Sequence, residues 1–301
     1  MNNMKVRAAV VGYGNIGKYV LQAIAASGDI ECAGILRRSL GGRDTAVVDG
    51  CKAVTDIALL DQVDVAILAV PSRMVPEYAR LFLSRGINTV DCFDIHSEIA
   101  ALRSSLSPVA VKSGAVGIIA AGWDPGTDSI VRAMLTGMMP EGISYTNFGP
   151  GRSMGHSVVA ASKPGVVKAL SMTIPAGEGV HRREVYVELE PGADPEAVAD
   201  SIKSDSYFIN DETSVTVVDS VDALDTHMHG VKLERSGSSG CTDGQRAEFN
   251  MRINNPALTA QVLVMAARAS MRQMPGCYTM IEVPVIDYLP GERETLIKQL
   301  V

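Results

Sequence analysis

Lys5-Val6-Arg7-Ala8-Ala9-Val10-Val11, followed at once by Gly12-Tyr13-Gly14-Asn15-Ile16-Gly17, is the stretch that decides the fold. An apolar run of strand length that stops at a glycine suits a strand buried on both faces of a parallel sheet. Beyond it Ile16, Val20, Leu21 and Ile24 recur at helical spacing, and Gly28 closes the segment. The intervening G-x-G-x-x-G is a weak signal alone, but between a strand and a helix it predicts a dinucleotide site. Gly12 permits the tight turn, Gly14 lets a pyrophosphate approach the backbone, and Gly17 lets helix and strand pack closely. The helix start then offers unpaired N–H groups and a partial positive charge to the anion. A bare strand–helix turn without a ligand is the alternative.

Outward from this turn, residues 30–36 and 63–70 read as strands, and a helix follows from about 75 to 84. A strand over 88–92, a helix from Ser97 and a strand over 116–120 complete the alternation. Such alternation implies α/β architecture, a Rossmann-type doubly wound parallel sheet over residues 1–121. After Gly122 the pattern turns strand-rich, with strands over 144–148, 169–174, 184–189, 214–219, 228–233 and 247–253. One helix, 195–203 with Asp194 as its cap, interrupts them. Residues 122–254 are thus expected to form a second α+β domain, for substrate binding and dimerisation, with one open, largely antiparallel sheet. The Ser/Gly-rich stretch 236–244 reads as a flexible loop. Asn255-Pro256 is a good helix start, carrying a helix to about Met274, and residues 255–301 are expected to return to the first domain.

Composition narrows the function. With 47% hydrophobic and 20% charged residues the chain can bury two ordinary cores. A net charge of −7 argues against a nucleic-acid partner. No stretch reaches the length of a membrane span, and Met1-Asn2-Asn3-Met4-Lys5 lacks the apolar core of a signal peptide. Cys32, Cys51, Cys92, Cys241 and Cys277 are odd in number and widely spaced, so neither a disulfide framework nor a zinc cluster is indicated. A cytoplasmic protein with no membrane partner is expected.

The end of the second strand speaks to cofactor choice. An NAD site would place Asp or Glu there for the ribose 2′-OH, whereas this chain has Leu36-Arg37-Arg38-Ser39. Guanidinium groups bind a 2′-phosphate through paired hydrogen bonds and a carboxylate would repel it, so NADP is the expected cofactor.

Three further clusters stand out: Asp91-Cys92-Phe93-Asp94 at a strand end, Ala121-Gly122-Trp123-Asp124-Pro125-Gly126 with the single Trp, and Asn147-Phe148-Gly149-Pro150-Gly151-Arg152-Ser153-Met154-Gly155-His156-Ser157. Each separately could be an ordinary Gly/Pro turn. Together with Val10-Val11-Gly12-Tyr13-Gly14-Asn15-Ile16-Gly17 and Asn254-Asn255-Pro256 they closely resemble one family, meso-diaminopimelate dehydrogenase, over nearly the whole chain. That resemblance implies NADP-dependent, reversible oxidative deamination at the D-centre of meso-2,6-diaminopimelate. The products would be L-2-amino-6-oxopimelate, ammonia and NADPH, on a branch of lysine and cell-wall precursor synthesis. It also implies a homodimer. By resemblance the cofactor is touched by Tyr13, Asn15 and Ile16 with the glycines, by Leu36, Arg37 and Arg38, and by Ala69, Val70, Pro71 and Ser72. Cys92, Phe93 and Asp94, then Ala121, Gly122, Trp123, Asp124 and Pro125, complete that set. The substrate pocket implied comprises Asp94, Asp124, Phe148, Met154, Gly155, Thr173, Arg183, His229 and Asn255.

The substrate carries two ammonium and two carboxylate groups, which suits this mixture. Asp94 and Asp124 fit the ammonium, and Arg183 with Thr173 and His229 fits a carboxylate. Asp124, then Asp94, is the candidate acceptor for the proton released when water attacks the imine. His227-Met228-His229 could instead place two imidazoles on one strand face for a metal, but no third ligand is evident and none is expected. Arg183, beside Arg182, reads without the resemblance as a solvated strand residue. Some family members carry a long insertion where this chain has only Ala176-Gly177-Glu178-Gly179-Val180, which leaves strict selectivity for the meso compound open. The rival readings are a broad D-amino acid dehydrogenase, another NADP-dependent dehydrogenase of amino-acid metabolism, and an NADPH-sensing regulatory protein without turnover.

Overall fold

A computed structural model describes residues 5–224 and 228–301. The chain folds as two compact units, one of residues up to Ala133 with Pro256–Val301, the other Met134–Asn255.

The first unit opens with β1 (Val6–Val11), α1 (Asn15–Ala26), β2 (Ile30–Leu36) and a short hairpin of β3 (Thr45–Val48) and β4 (Cys51–Val54). β5 (Val65–Leu68), α2 (Val75–Leu83), β6 (Asn88–Asp91), α3 (Ile99–Ser113) and β7 (Val116–Ile119) continue it, and α4 (Thr127–Met138) leads out. The second unit holds β8 (Glu141–Phe148), β9 (Gly151–Ser153), α5 (Met154–Ala161), β10 (Val166–Gly177) and β11 (Val180–Leu189). α6 (Pro195–Lys203), β12 (Glu212–Val217), β13 (Met228–Ser239) and β14 (Thr242–Asn254) follow. The chain returns through α7 (Asn255–Ser270), β15 (Gly276–Thr279) and α8 (Arg293–Leu300). No described helix is long and apolar enough to cross a membrane.

The first unit is a sheet in the order β15-β7-β6-β5-β1-β2-β4-β3, parallel throughout except for the β3–β4 hairpin. Its strands are apolar runs because both faces are covered. Ala8, Val10, Val65 and Ile67 face one core with Val20 of α1 and Val262 of α7, and Ala9, Val11, Ala66 and Leu68 face the other with Phe82 of α2 and Leu106 of α3. The unit runs on to Ala133 and not only to 121, since Ile130 of α4 packs into the first of these cores.

The second unit differs from a single open sheet. It has a four-stranded sheet, β12-β11-β10-β9, in which β11 and β12 run parallel, and an antiparallel three-stranded sheet, β14-β13-β8. α5 packs on β10, although its small apolar residues give no polar face to read as amphipathic. The Ser/Gly stretch 236–244 is not a flexible loop: Ser236 pairs with Arg246 and Ser239 with Thr242 in a long hairpin. Gly237 is there for close approach, because a methyl on it would lie 2.2 Å from the Glu141 carbonyl oxygen. The helix over 195–203 has the expected cap, Asp194 accepting from the Glu196 N–H at 3.0 Å.

The return of α7 is pinned by a charge. Arg268, 6% exposed, donates from Nε to Asp29 Oδ2 at 2.5 Å, from Nη2 to Asp29 Oδ1 at 2.8 Å, and from Nη1 to the Tyr288 carbonyl at 3.0 Å. That pairing, against the opposing effect of burial, lowers the Asp29 carboxyl to about 2. Arg268→Ala should lower the unfolding free energy at neutral pH by about 2–3 kcal/mol, less than for a sealed pair because Asp29 keeps solvent contact. Since the folded pKa is depressed, this contribution is complete above the ordinary aspartate range and disappears as pH falls towards about 2. Urea unfolding of parent and variant should therefore differ most near neutrality and converge in acid.

Candidate active site

In the first unit the glycines of the turn fall into two kinds. A methyl on Gly12 would sit 2.4 Å from the Ala69 carbonyl oxygen, and one on Gly17 would sit 2.3 Å from the Gly12 carbonyl oxygen. Those two are required by the protein's own packing. A methyl on Gly14 would meet no protein atom within 4 Å, and Gly14 is the cap of α1 with no side chain over the free N–H groups. The structure thus leaves a backbone cradle at the helix start, beside Asn15 and Ile16, that suits an approaching diphosphate.

Arg37, just past the end of β2, lies with its guanidinium carbon 5.5 Å from the Tyr13 ring centroid, and Lys18 stands 5.6 Å from the same ring. The Tyr13 hydroxyl donates to the Asp49 carboxylate, which pushes it above the usual phenol range. Asp49 comes from the turn of the β3–β4 hairpin, which sequence reading missed. The Asp49-Gly50 pair, both at positive φ (47° and 75°), was the signal available. Leu36 is buried and Arg38 is exposed.

Two carboxylates follow adjacent parallel strands, where such sheets bind ligands. After β6, Asp94 is exposed and accepts from Ser72 Oγ at 2.6 Å, which joins it to the loop Ala69-Val70-Pro71-Ser72 after β5. Phe93 is buried, so its backbone is what a ligand could meet. Burial pushes the Cys92 thiol up to about 12, which keeps it protonated and unreactive. After β7, Ala121, Gly122, Trp123 and Pro125 are buried, and Asp124 keeps 10% of its side chain exposed. Arg132 reaches Asp124 at 3.3 Å and also Asp128 at 2.7 Å. Neither Asp128 nor Arg132 was singled out in the sequence.

In the second unit the register places Thr173 of β10 opposite Arg183 of β11. Arg183 is no solvated strand residue: it donates from Nη1 to the Thr173 hydroxyl and from Nε to Asp211 Oδ2 at 2.6 Å, with 13% of its side chain exposed. The residues 176–180 close as a two-residue hairpin turn at Glu178-Gly179 (φ 50° and 78°). Met154 and Gly155 begin α5, followed by His156, whose Nε2 donates to the Tyr207 carbonyl at 2.8 Å and whose Nδ1 accepts from Ser153 at 2.8 Å. Burial, then the Arg183 charge, lowers His156 to about 4. The Phe148 N–H donates to His181 Nε2 at 2.8 Å, and their rings lie 5.3 Å apart. His229, 6% exposed, borders a cavity of about 580 Å³ that Asn147, Lys232 and Arg252 also line. Asn255 closes this unit as α7 begins. His227 of the His227-Met228-His229 stretch lies outside the described residues.

A free helix start at a glycine turn, with carboxylates after two neighbouring strands of the same parallel sheet, is the arrangement of a Rossmann-type oxidoreductase, and residues 6–91 match the family described as "Oxidoreductase family, NAD-binding Rossmann fold". Residues 122–182 match "Diaminopimelic acid dehydrogenase C-terminal domain". The chain is 61% identical over 297 residues to the meso-diaminopimelate D-dehydrogenase of Bacteroides fragilis, with 99% of each covered. It superposes on C. glutamicum DAP dehydrogenase in complex with DAP with a TM-score of 0.89, at 31% identity and with both chains covered in full. An engineered D-amino acid dehydrogenase bound to NADP+ gives a TM-score of 0.85 at 28% identity, over 99% of this chain and 100% of that one. The chain belongs to the meso-diaminopimelate dehydrogenase family.

The two kinds of glycine give opposite expectations for stability. Gly17→Ala should cost about 3 kcal/mol or more, the upper range for overpacking against backbone. Gly14→Ala should cost less than about 1 kcal/mol, the difference between glycine and alanine as a cap. Equal shifts of the two denaturation midpoints would contradict this division.

Proposed function

We propose that this protein catalyses the reversible, NADP-dependent oxidative deamination of meso-2,6-diaminopimelate at its D-centre, giving L-2-amino-6-oxopimelate, ammonia and NADPH. The observation that carries the reading is the placement of Asp94 and Asp124 after adjacent parallel strands, in the unit that holds the glycine turn, in a chain of this family. The backbone of Gly12 to Gly17 would hold the diphosphate, and Arg37 with Arg38 would hold the 2′-phosphate. NADP+, when bound, supplies the hydride acceptor. Asp94 and Asp124 hold the reacting amino group, and Asp124 accepts the proton that water releases on adding to the iminium carbon. Thr173, Arg183 and His229 hold the distal carboxylate, with Arg183 already aimed by Asp211.

The short Glu178-Gly179 turn favours a broader second activity on simple D-amino acids. An NADPH sensor without turnover is the reading to exclude. Mixing the protein with meso-diaminopimelate and either NADP+ or NAD+, and following nicotinamide absorbance, tests the proposal. Reduction of NADP+ with little reduction of NAD+ is expected, and replacing Arg37 and Arg38 by neutral residues should weaken NADP+ selectively. Equal use of both nucleotides by the parent would refute the role given to these arginines. Cofactor binding without reduction would favour the sensor.

Arg183→Ala separates the two ends of the substrate. Losing a charge-assisted partner in a desolvated site costs roughly 2–5 kcal/mol, so the Michaelis constant for meso-diaminopimelate should rise at least about thirtyfold. D-alanine has no distal carboxylate to lose and should suffer much less. Equal losses on both substrates would assign Arg183 to the fold or to the reacting centre.

A further inference from the structure

α4 starts directly after the loop that carries Asp124, and Asp128 lies in its first turn with no exposed side-chain surface. One turn on, Arg132 Nη2 sits 2.7 Å from Asp128 Oδ2 and 3.3 Å from Asp124 Oδ1. A single nitrogen that reaches both oxygens brings the two carboxylates to within about 6 Å of each other, close enough for their charges to act on one another. Two carboxyls so close, one sealed and one nearly so, do not both ionise readily, and one guanidinium balances only one negative charge. One of the two negative charges is therefore left without a cation, which favours a proton on Asp128, the more deeply buried of the two.

A purely structural account is available. An aspartate in the first turn of a helix, paired with an arginine four residues on, stabilises many helices. It explains the Arg132–Asp128 contact. It does not explain why the same guanidinium reaches Asp124, nor why a sealed carboxyl is placed against another carboxyl, which a surface pair of this kind has no need of.

We propose that Asp128 is a positioning residue for the reaction, sharing one proton with Asp124 and so setting how strongly Asp124 takes a proton from the reacting centre. The inference rests on the reading of Asp124 as proton acceptor. In the step concerned water adds to the iminium carbon, a C–O bond forms, the C–N bond breaks with nitrogen leaving as ammonia, and the one proton released goes to Asp124. The pair then holds two protons and returns one to solvent before the next turnover. While Asp128 keeps its proton, its O–H donates to Asp124 and weakens that carboxylate as a base. Once Asp128 ionises, a second negative charge beside Asp124 strengthens it.

The charged groups acting on Asp128 are Asp124, from the loop after β7, and Arg132 of its own helix, with the Ser129 N–H as a further donor. Burial first, then the hydrogen bond and charge of Asp124, raise Asp128 to about 8 against the pull of Arg132. A raised pKa means that the proton is present at neutrality and lost as pH climbs through that value, so the deamination rate should rise across it.

Profiles of kcat/KM for meso-diaminopimelate against pH, for parent, Asp128→Asn, Asp128→Glu and Asp124→Asn, test this. Asparagine keeps the hydrogen bond to Asp124 but cannot titrate. The parent-to-Asp128→Asn ratio should grow about tenfold between about pH 7 and about pH 9, the effect of an added like charge. Asp128→Glu should restore part of the rising limb. Parallel profiles for parent and Asp128→Asn, whether or not the variant is slower, overturn the proposal alone. Near-normal turnover in Asp124→Asn overturns the reading of Asp124 and this inference with it. If Asp128→Asn does not fold, carbon NMR of aspartate-labelled parent decides. A side-chain carboxyl still protonated near pH 7 and perturbed by Asp124→Asn is required, and its absence refutes the shared proton.

Discussion

The carboxyl of Asp91, sealed from solvent at the end of β6, ties together the two loops on which the candidate chemistry depends. Its Oδ1 accepts from the Phe93 N–H at 3.0 Å and from the Ala120 N–H at 3.1 Å, and its own carbonyl takes the Ala121 N–H at 2.6 Å. Burial raises it to about 7 while the two backbone donors pull it down. Ala120 sits at φ 53°, a conformation uncommon for a residue with a side chain, held where these hydrogen bonds converge. From there the chain runs to Asp124 in one direction and, from Phe93, to Asp94 in the other. A single side chain that offers nothing to a ligand thus fixes where both candidate carboxylates start.

Much of the first unit was legible because its physics is local. The run up to Val11 had to be a two-faced strand, and the glycine after it could only end it. The β3–β4 hairpin escaped because its strands are four residues long and half-exposed, too short for a periodicity to emerge. In the second unit glycine and serine were read as freedom where they mark contact: Gly142 and Gly237 meet across β8 and β13 because nothing larger fits. The two sheets there were hidden for a related reason. Alternation tells which residues face a core, but not which strands share a ladder.

The candidate site divides in the same way. Asp94 and Asp124 stand in recognisable clusters and Thr173 and Arg183 are named only through the family resemblance, whereas their partners could not be named at all. Asp128 looks like any acidic residue opening a helix until Asp124 is folded back beside it. Asp211 belongs to no motif and reaches Arg183 only because β12 lies alongside β11. Residues that act through another residue leave no signature of their own in a single sequence, since their meaning arises with tertiary contact.

The surroundings of Arg183 show how a protein of net charge −7 can still present a cation to an anion. Burial, then Arg183 itself, depresses both His156 and His181, so both imidazoles stay neutral near pH 7. The positive charge is thereby confined to one guanidinium and not spread over two rings and a fork. Asp211 removes part of that charge, which weakens long-range attraction, yet it also fixes a side chain that would otherwise hold about 2 kcal/mol of rotamer entropy. An arginine held in this way, with the Thr173 hydroxyl against it, trades strength for direction. In the role proposed for it, Arg183 would discriminate by where a carboxylate sits rather than by how strongly any carboxylate is drawn in, and for a substrate with two such groups position would be the property that matters.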